Sequence, residues 1–96
     1  VAILNFAFTE VENSEKMQQY IDSAAPLMEK FGVEVIVRGK YLKSPLGESK
    51  NTHISGVFRF PDIETAERFY NCEEYTSLIP LRDQVGKMIF DFYEES

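Results

Sequence analysis

The chain has 96 residues, a size at which one hydrophobic core is the default, and its 44% hydrophobic and 14% aromatic content supplies apolar material for one. Its net charge of −6, with no run of lysine and arginine, argues against nucleic acid and anionic membrane surfaces as partners, since both are polyanions. One cysteine cannot close an internal disulfide, so the expected compartment is the reducing cytoplasm.

Residues 1–96 are therefore expected to form a single domain. The opening run VAILNFAF is apolar at both alternating sets and predicts a central strand. It is too short to span a bilayer and is followed by acidic TEVENSE, so neither an anchor nor a leader is expected there. Asn13 or Ser14 then caps a helix, with Glu15 suited to the positive end of its dipole. Met17, Tyr20, Ile21, Ala24, Met28 and Phe31 recur at three- and four-residue intervals along that helix and form one stripe. Pro26 lacks the amide that would bond the carbonyl of Asp22, which predicts a local bend, and Gly32 ends the helix.

Residues 33–42, VEVIVRGKYL, alternate around β-branched side chains and predict a second strand. Residues 44–52 have the Pro, Gly, Ser and Asn content of a long exposed connection, and 53–60 predict a third strand. Pro61 and Asp62 break that strand and cap a helix carrying Ile63, Ala66, Phe69 and Tyr70, which breaks near Asn71 and Cys72. A second helical piece runs from about Glu73 to Gly86, and residues 87–93 form the fourth strand. The order β-α-β-β-α-β predicts an α+β, ferredoxin-like antiparallel sheet with helices on one face.

Alternation sorts the strand residues into two sets. Leu4, Phe6, Phe8, Val33, Val35, Val37, Ile54, Phe58, Phe60, Met88, Phe90 and Phe92 are almost purely apolar and are expected beneath the helices. The opposite set mixes Ile3, Ile36, Val57 and Ile89 with Asn5, Arg38, His53, Ser55, Arg59, Asp91 and Tyr93. A partly wet cavity covered by a second subunit fits that mixture, because neither solvent nor a dry core suits it.

Arg38, Arg59, Asp91 and the lone His53 on the mixed face suggest an anion site or acid–base site, against a structural alternative in which Arg59 pairs with Asp91 across strands. His53 has no second His or Cys at metal spacing, so no metal site is expected, and no cofactor fingerprint is present. Cys72 has no motif pairing it with a base. Tyr75, Leu78, Ile79 and Arg82 stand at i, i+3, i+4 and i+7, which places a guanidinium on an apolar stripe. Two readings stay open for Arg82: a stem packed on the core with its head on nearby oxygens, and an anion contact at a pocket edge.

Two segments, YIDSAAPLMEKFGVEVIVRG (20–39) and FRFPDIETAERFYNCEEYTSLIPLR (58–82), resemble the family called domain of unknown function 1330. The matching positions are Tyr20, Pro26, Gly32, Arg38, Gly39, Tyr70, Asn71, Tyr75 and Arg82. Lys40 stands where a second glycine is usual, and Cys72-Glu73 replaces the usual Ser-Pro. The resemblance implies a dimeric α+β barrel, in which two ferredoxin-like sheets pack through the face opposite the helices, in small cytoplasmic proteins, often bacterial, without an established activity. The leading expectation is a homodimer that binds a small anionic or polar molecule in a pocket between sheet and helices, near Arg38, His53, Tyr70, Tyr75 and Arg82. The alternatives are a cofactor-independent oxygenase or isomerase, by analogy of fold, and an interaction module without a ligand.

Overall fold

The computed structural model describes all 96 residues and runs β1 (Ile3–Val11), α1 (Ser14–Lys30), β2 (Glu34–Lys40), β3 (Ile54–Phe60), α2 (Ile63–Asn71), α3 (Glu73–Thr76), α4 (Ile79–Asp83) and β4 (Gly86–Glu94). The four strands form one antiparallel sheet in the order β2-β3-β1-β4. This is the ferredoxin-like arrangement, with its helices on one side of the sheet. The extents, 35 × 34 × 16 Å, are those of a plate two layers thick.

Local chemistry caps the helices at the predicted residues, while the expected piece from Glu73 to Gly86 divides into α3 and α4. The Asn13 side chain accepts a hydrogen bond from the amide of Lys16 at 3.0 Å and starts α1. At the other end Gly32 adopts φ +73°, letting the amides of Gly32 and Val33 turn back onto the carbonyls of Glu29 and Met28, both at 3.0 Å. The helical assignment continues through Pro26. Asp62 caps α2 by accepting from the amide of Thr65 at 2.7 Å. Between α2 and α3, the Cys72 thiol donates to the Phe69 carbonyl at 3.1 Å while its sulfur accepts from the amide of Tyr75 at 3.4 Å, so the sulfur serves as a cap. Pro80 stands in the first turn of α4, where a missing amide costs nothing.

The core lies between sheet and helices. Phe60, Ala66, Phe69, Tyr75 and Val85 are fully buried there, with Ile3, Tyr20, Ala24, Leu27 and Phe58 around them. Phe69 joins the two layers, its ring 5.6 Å from Phe60 and 5.1 Å from Tyr75.

The strand registers correct two of the face assignments. Ile3, Asn5, Ala7 and Thr9 lie opposite Phe60, Phe58, Gly56 and Ile54, so this smaller set of β1 faces the helices. Leu4, Phe6 and Phe8 therefore occupy the open face rather than the core. Both alternating sets of β1 are rich in apolar residues, and alternation carries little contrast there. Register decides instead: pairing with β3 sets Ile3, Asn5, Ala7 and Thr9 on the side of Phe60 and Phe58.

The second correction comes from a β-bulge. Val35 lies opposite Phe58, but Val37 lies opposite Val57, leaving Ile36 as an extra residue. Beyond it the parity of β2 reverses. Val37 turns to the open face, and Arg38, opposite Gly56, turns toward the helices. Arg59 also differs from expectation: it pairs with Glu34 at 2.7 Å and with Glu95 at 2.7 Å rather than with Asp91.

Candidate functional site

Each row of facing residues crosses the sheet from β2 to β4. On the helix side one row reads Val35, Phe58, Asn5, Phe92, the next Arg38, Gly56, Ala7, Phe90, and the third Lys40, Ile54, Thr9, Met88. The middle row has almost no side chain at its centre. Gly56 and Ala7 leave a trough between two bulkier rows, and a cavity of about 360 Å³ lies above it. That volume falls within the range of small-molecule sites, roughly 300 to 1,000 Å³.

The roof is α1, through Met17, Tyr20, Ile21, Ala24, Ala25 and Met28. The bundle of α1 with α3 and α4 holds this helix from the side, so it need not collapse onto the glycine and alanine below. A Cβ at Gly56 would stand 3.3 Å from the Phe58 ring, so the glycine also lets that ring lie close to the backbone. The walls are mostly apolar, with polar side chains from Thr9 and Ser55, from the β2 edge and from two tyrosines. Arg38 and Lys40 stand exposed at the β2 edge, and neither takes part in a salt bridge. Tyr20 and Tyr70 belong to the lining as well.

The hydroxyls of Tyr20 and Tyr70 belong to two separate buried hydrogen-bonded groups. The Tyr20 and Tyr75 hydroxyls are 2.8 Å apart, and Arg82 donates to the Tyr75 oxygen at 3.2 Å. The Arg82 guanidinium also sits 5.8 Å from the centre of the Tyr75 ring and 3.7 Å from the Asp83 carboxylate. Asn5, fully buried, bonds through its amide to the Tyr70 hydroxyl, and its other amide atom has no protein partner. Burial, reinforced by the nearby Tyr75 phenol, pushes the ionisation of Tyr20 and Tyr70 well above the ordinary phenol range. Burial works against the charge on Arg82, but its bond to Tyr75 and the nearby oxygens outweigh it and hold the guanidinium firmly protonated.

The structure thus brings together Tyr70, Tyr75 and Arg82 and sets Arg38 across the cavity from Tyr70. His53 lies on the opposite face of the sheet. Its ring stacks on Tyr41 at 4.6 Å, tilts against Phe8 at 4.4 Å, and its Nδ1 donates to the Asn51 carbonyl at 2.6 Å. These contacts tie down the connection between β2 and β3. No group of three or more His, Cys, Asp or Glu side chains converges in metal-holding geometry.

The sequence names Asn5 on the mixed face and Tyr20 on the α1 stripe and in the family pattern, but it places neither in the pocket, nor the pair Gly56 and Ala7. A signal existed for Asn5, a lone amide within an apolar strand. For the trough there was none, because Gly56 and Ala7 meet only through strand register.

The backbone resembles that of several solved structures. A protein of unknown function from Rhodopseudomonas palustris, RPA0582, superposes with a TM-score of 0.86 at 12% identity, over 99% of this chain and 82% of that one. An ethyl tert-butyl ether d (EthD) family protein from Bacillus halodurans gives 0.66 at 16% identity, over 99% and 98%. SnoaB, a cofactor-independent oxygenase from Streptomyces nogalater, gives 0.70 at 8% identity, over 98% and 92%. At such identities the likeness is one of fold, the ferredoxin-like α+β fold. No curated protein sequence matches the chain. The sequence itself matches a family model along nearly its whole length, residues 3–94, and the chain belongs to that family, Domain of unknown function (DUF1330).

Proposed function

We propose that this chain is a cytoplasmic, homodimeric binding protein for a small amphipathic anion, held in the cavity between the sheet and α1. The observation that carries this reading is the row Arg38, Gly56, Ala7, Phe90, which sets an unpaired cation at one end of an apolar trough. Three strand spacings, about 14 Å, separate its ends, enough for an elongated or two-ring molecule. Charge distribution supports the same ligand. Residues 38–53 carry four cations, Arg38, Lys40, Lys43 and Lys50, against the single carboxylate of Glu48, in a chain whose net charge is −6. A local positive field beside the opening raises the encounter rate for anions.

Naphthoate, a flat apolar carboxylate, tests the reading by isothermal titration calorimetry. Wild type is expected to bind it and to prefer it over neutral naphthamide. Arg38→Gln should weaken naphthoate about tenfold and remove the preference, since a charge-assisted hydrogen bond contributes roughly that much. Ala7→Leu, which fills the trough, should abolish binding of both. Absence of naphthoate binding by wild type would overturn this reading.

A further inference from the structure

We propose that Tyr20 is a hydrogen-bond donor to a ligand oxygen inside the cavity, and that Arg82 is the positioning residue that aims its proton there through Tyr75. The inference rests on the cavity reading above and deepens it by assigning a chemical class to the far end of the ligand: a carbonyl or other acceptor oxygen.

The argument is one of hydrogen-bond bookkeeping. A guanidinium has donors and no acceptor, so in the 3.2 Å contact the Tyr75 oxygen must accept from Arg82. Between Tyr75 and Tyr20, 2.8 Å apart, either hydroxyl can donate. If Tyr20 donated, Tyr75 would accept twice, and its own proton would have no partner at a residue only 1% exposed. A buried, unsatisfied donor costs roughly 1 to 3 kcal/mol. If Tyr75 donates, its proton is satisfied, and the free proton moves to Tyr20, which lines the cavity. The favourable chain therefore runs Arg82 to Tyr75 to Tyr20 and ends on a residue of the cavity lining, whose remaining proton we assign to the ligand.

The environment suits a donor that keeps its proton. Burial holds the Tyr20 phenol neutral, and the positive charge behind Tyr75 polarises the chain in the donating direction. Tyr70 is a second tyrosine of the same lining, its hydroxyl bonded to the Asn5 amide. An amphipathic anion with its carboxylate at Arg38 and an oxygen acceptor at its other end would satisfy both polar ends of the site.

Two naphthoates that differ at one group distinguish the outcomes: one carries an acetyl group on the far ring, the other an isopropyl group of the same shape. Wild type is expected to bind the acetyl form about tenfold more tightly, the worth of one hydrogen bond. Infrared difference spectra should show its ketone stretch shifted to lower frequency on binding. Tyr20→Phe should equalise the two affinities and remove the shift. Arg82→Met should narrow the affinity gap and reduce the shift while leaving the carboxylate end unaffected, and Arg82→Lys should restore part of both. If wild type binds both forms equally, or Tyr20→Phe keeps the preference, the inference is wrong while the cavity reading stands. If neither form nor naphthoate itself binds, both fall together.

Discussion

Arg82 occupies a position on an apolar stripe because it has two partners there: the face of the Tyr75 ring for its charge and the Tyr75 hydroxyl for its donors. The buried tyrosines nearby, Tyr20 and Tyr70, give the clearest pH dependence in the molecule. Tyr20 and Tyr70 ionise in the fold only well above the ordinary phenol value, because burial disfavours the phenolate. A raised value in the folded state means that the neutral form stabilises the fold. That contribution is complete below pH about 10 and is lost as pH rises beyond it. Thermal melts are expected to show a steepening decline above pH about 10, and Tyr20→Phe and Tyr70→Phe should each flatten it. An ultraviolet titration in which all five tyrosines ionise together with the fold intact would contradict this account.

Among the elements, the junction into β4 is the least tolerant of change. The Val85 carbonyl accepts from the amides of Glu12 and Asn13 at 2.8 and 3.0 Å, which closes the end of β1 onto the start of β4. Gly86 follows at φ +147°, and a Cβ there would lie 2.1 Å from the Glu10 carbonyl oxygen. Neither the backbone conformation nor the space admits a side chain. Gly86→Ala is expected to lower stability by about 3 kcal/mol in urea unfolding, whereas Gly47→Ala, with open space around it, should cost much less despite its own positive φ. Equal effects of the two would show that strain alone, without the steric contact, governs both. The bulge at Ile36 is the other decisive feature at this scale. One extra residue moves Arg38 from the open face to the cavity, and the candidate site exists because of it.

The whole molecule is a plate with one covered face. On the uncovered face Phe6, Val37, Ile89 and Tyr93 are each more than 40% exposed, and the Phe6 and Tyr93 rings meet edge to face at 4.8 Å. An apolar sheet face of this kind is costly to leave in water, and it is the face the proposed homodimer would bury. Sedimentation equilibrium is expected to find a dimer at micromolar concentration. Val57→Lys together with Ile89→Lys should give a monomer that keeps its circular dichroism spectrum. A wild-type chain that is monomeric at that concentration would remove the homodimer from the proposed function. No helix is long and apolar enough to cross a membrane.

The sequence by itself determined the order of elements, their caps and their breaks, because these depend on neighbours within a few residues: Asn13 and its amide, Gly32 and its positive φ, the break at Cys72. It also singled out Tyr70, Tyr75, Arg82 and Arg38, through residue type, helical spacing and resemblance to a family. Only the tertiary structure decided which way the strands face. Parity is lost when both sets of a strand are apolar, as in β1, and reversed when one residue bulges, as in β2. Those two events buried Asn5, turned Phe6 and Phe8 outward, brought Arg38 into the cavity and left His53 on the other side. The trough itself arises from register, since Gly56 and Ala7 are 49 positions apart and become neighbours only when β1 and β3 pair.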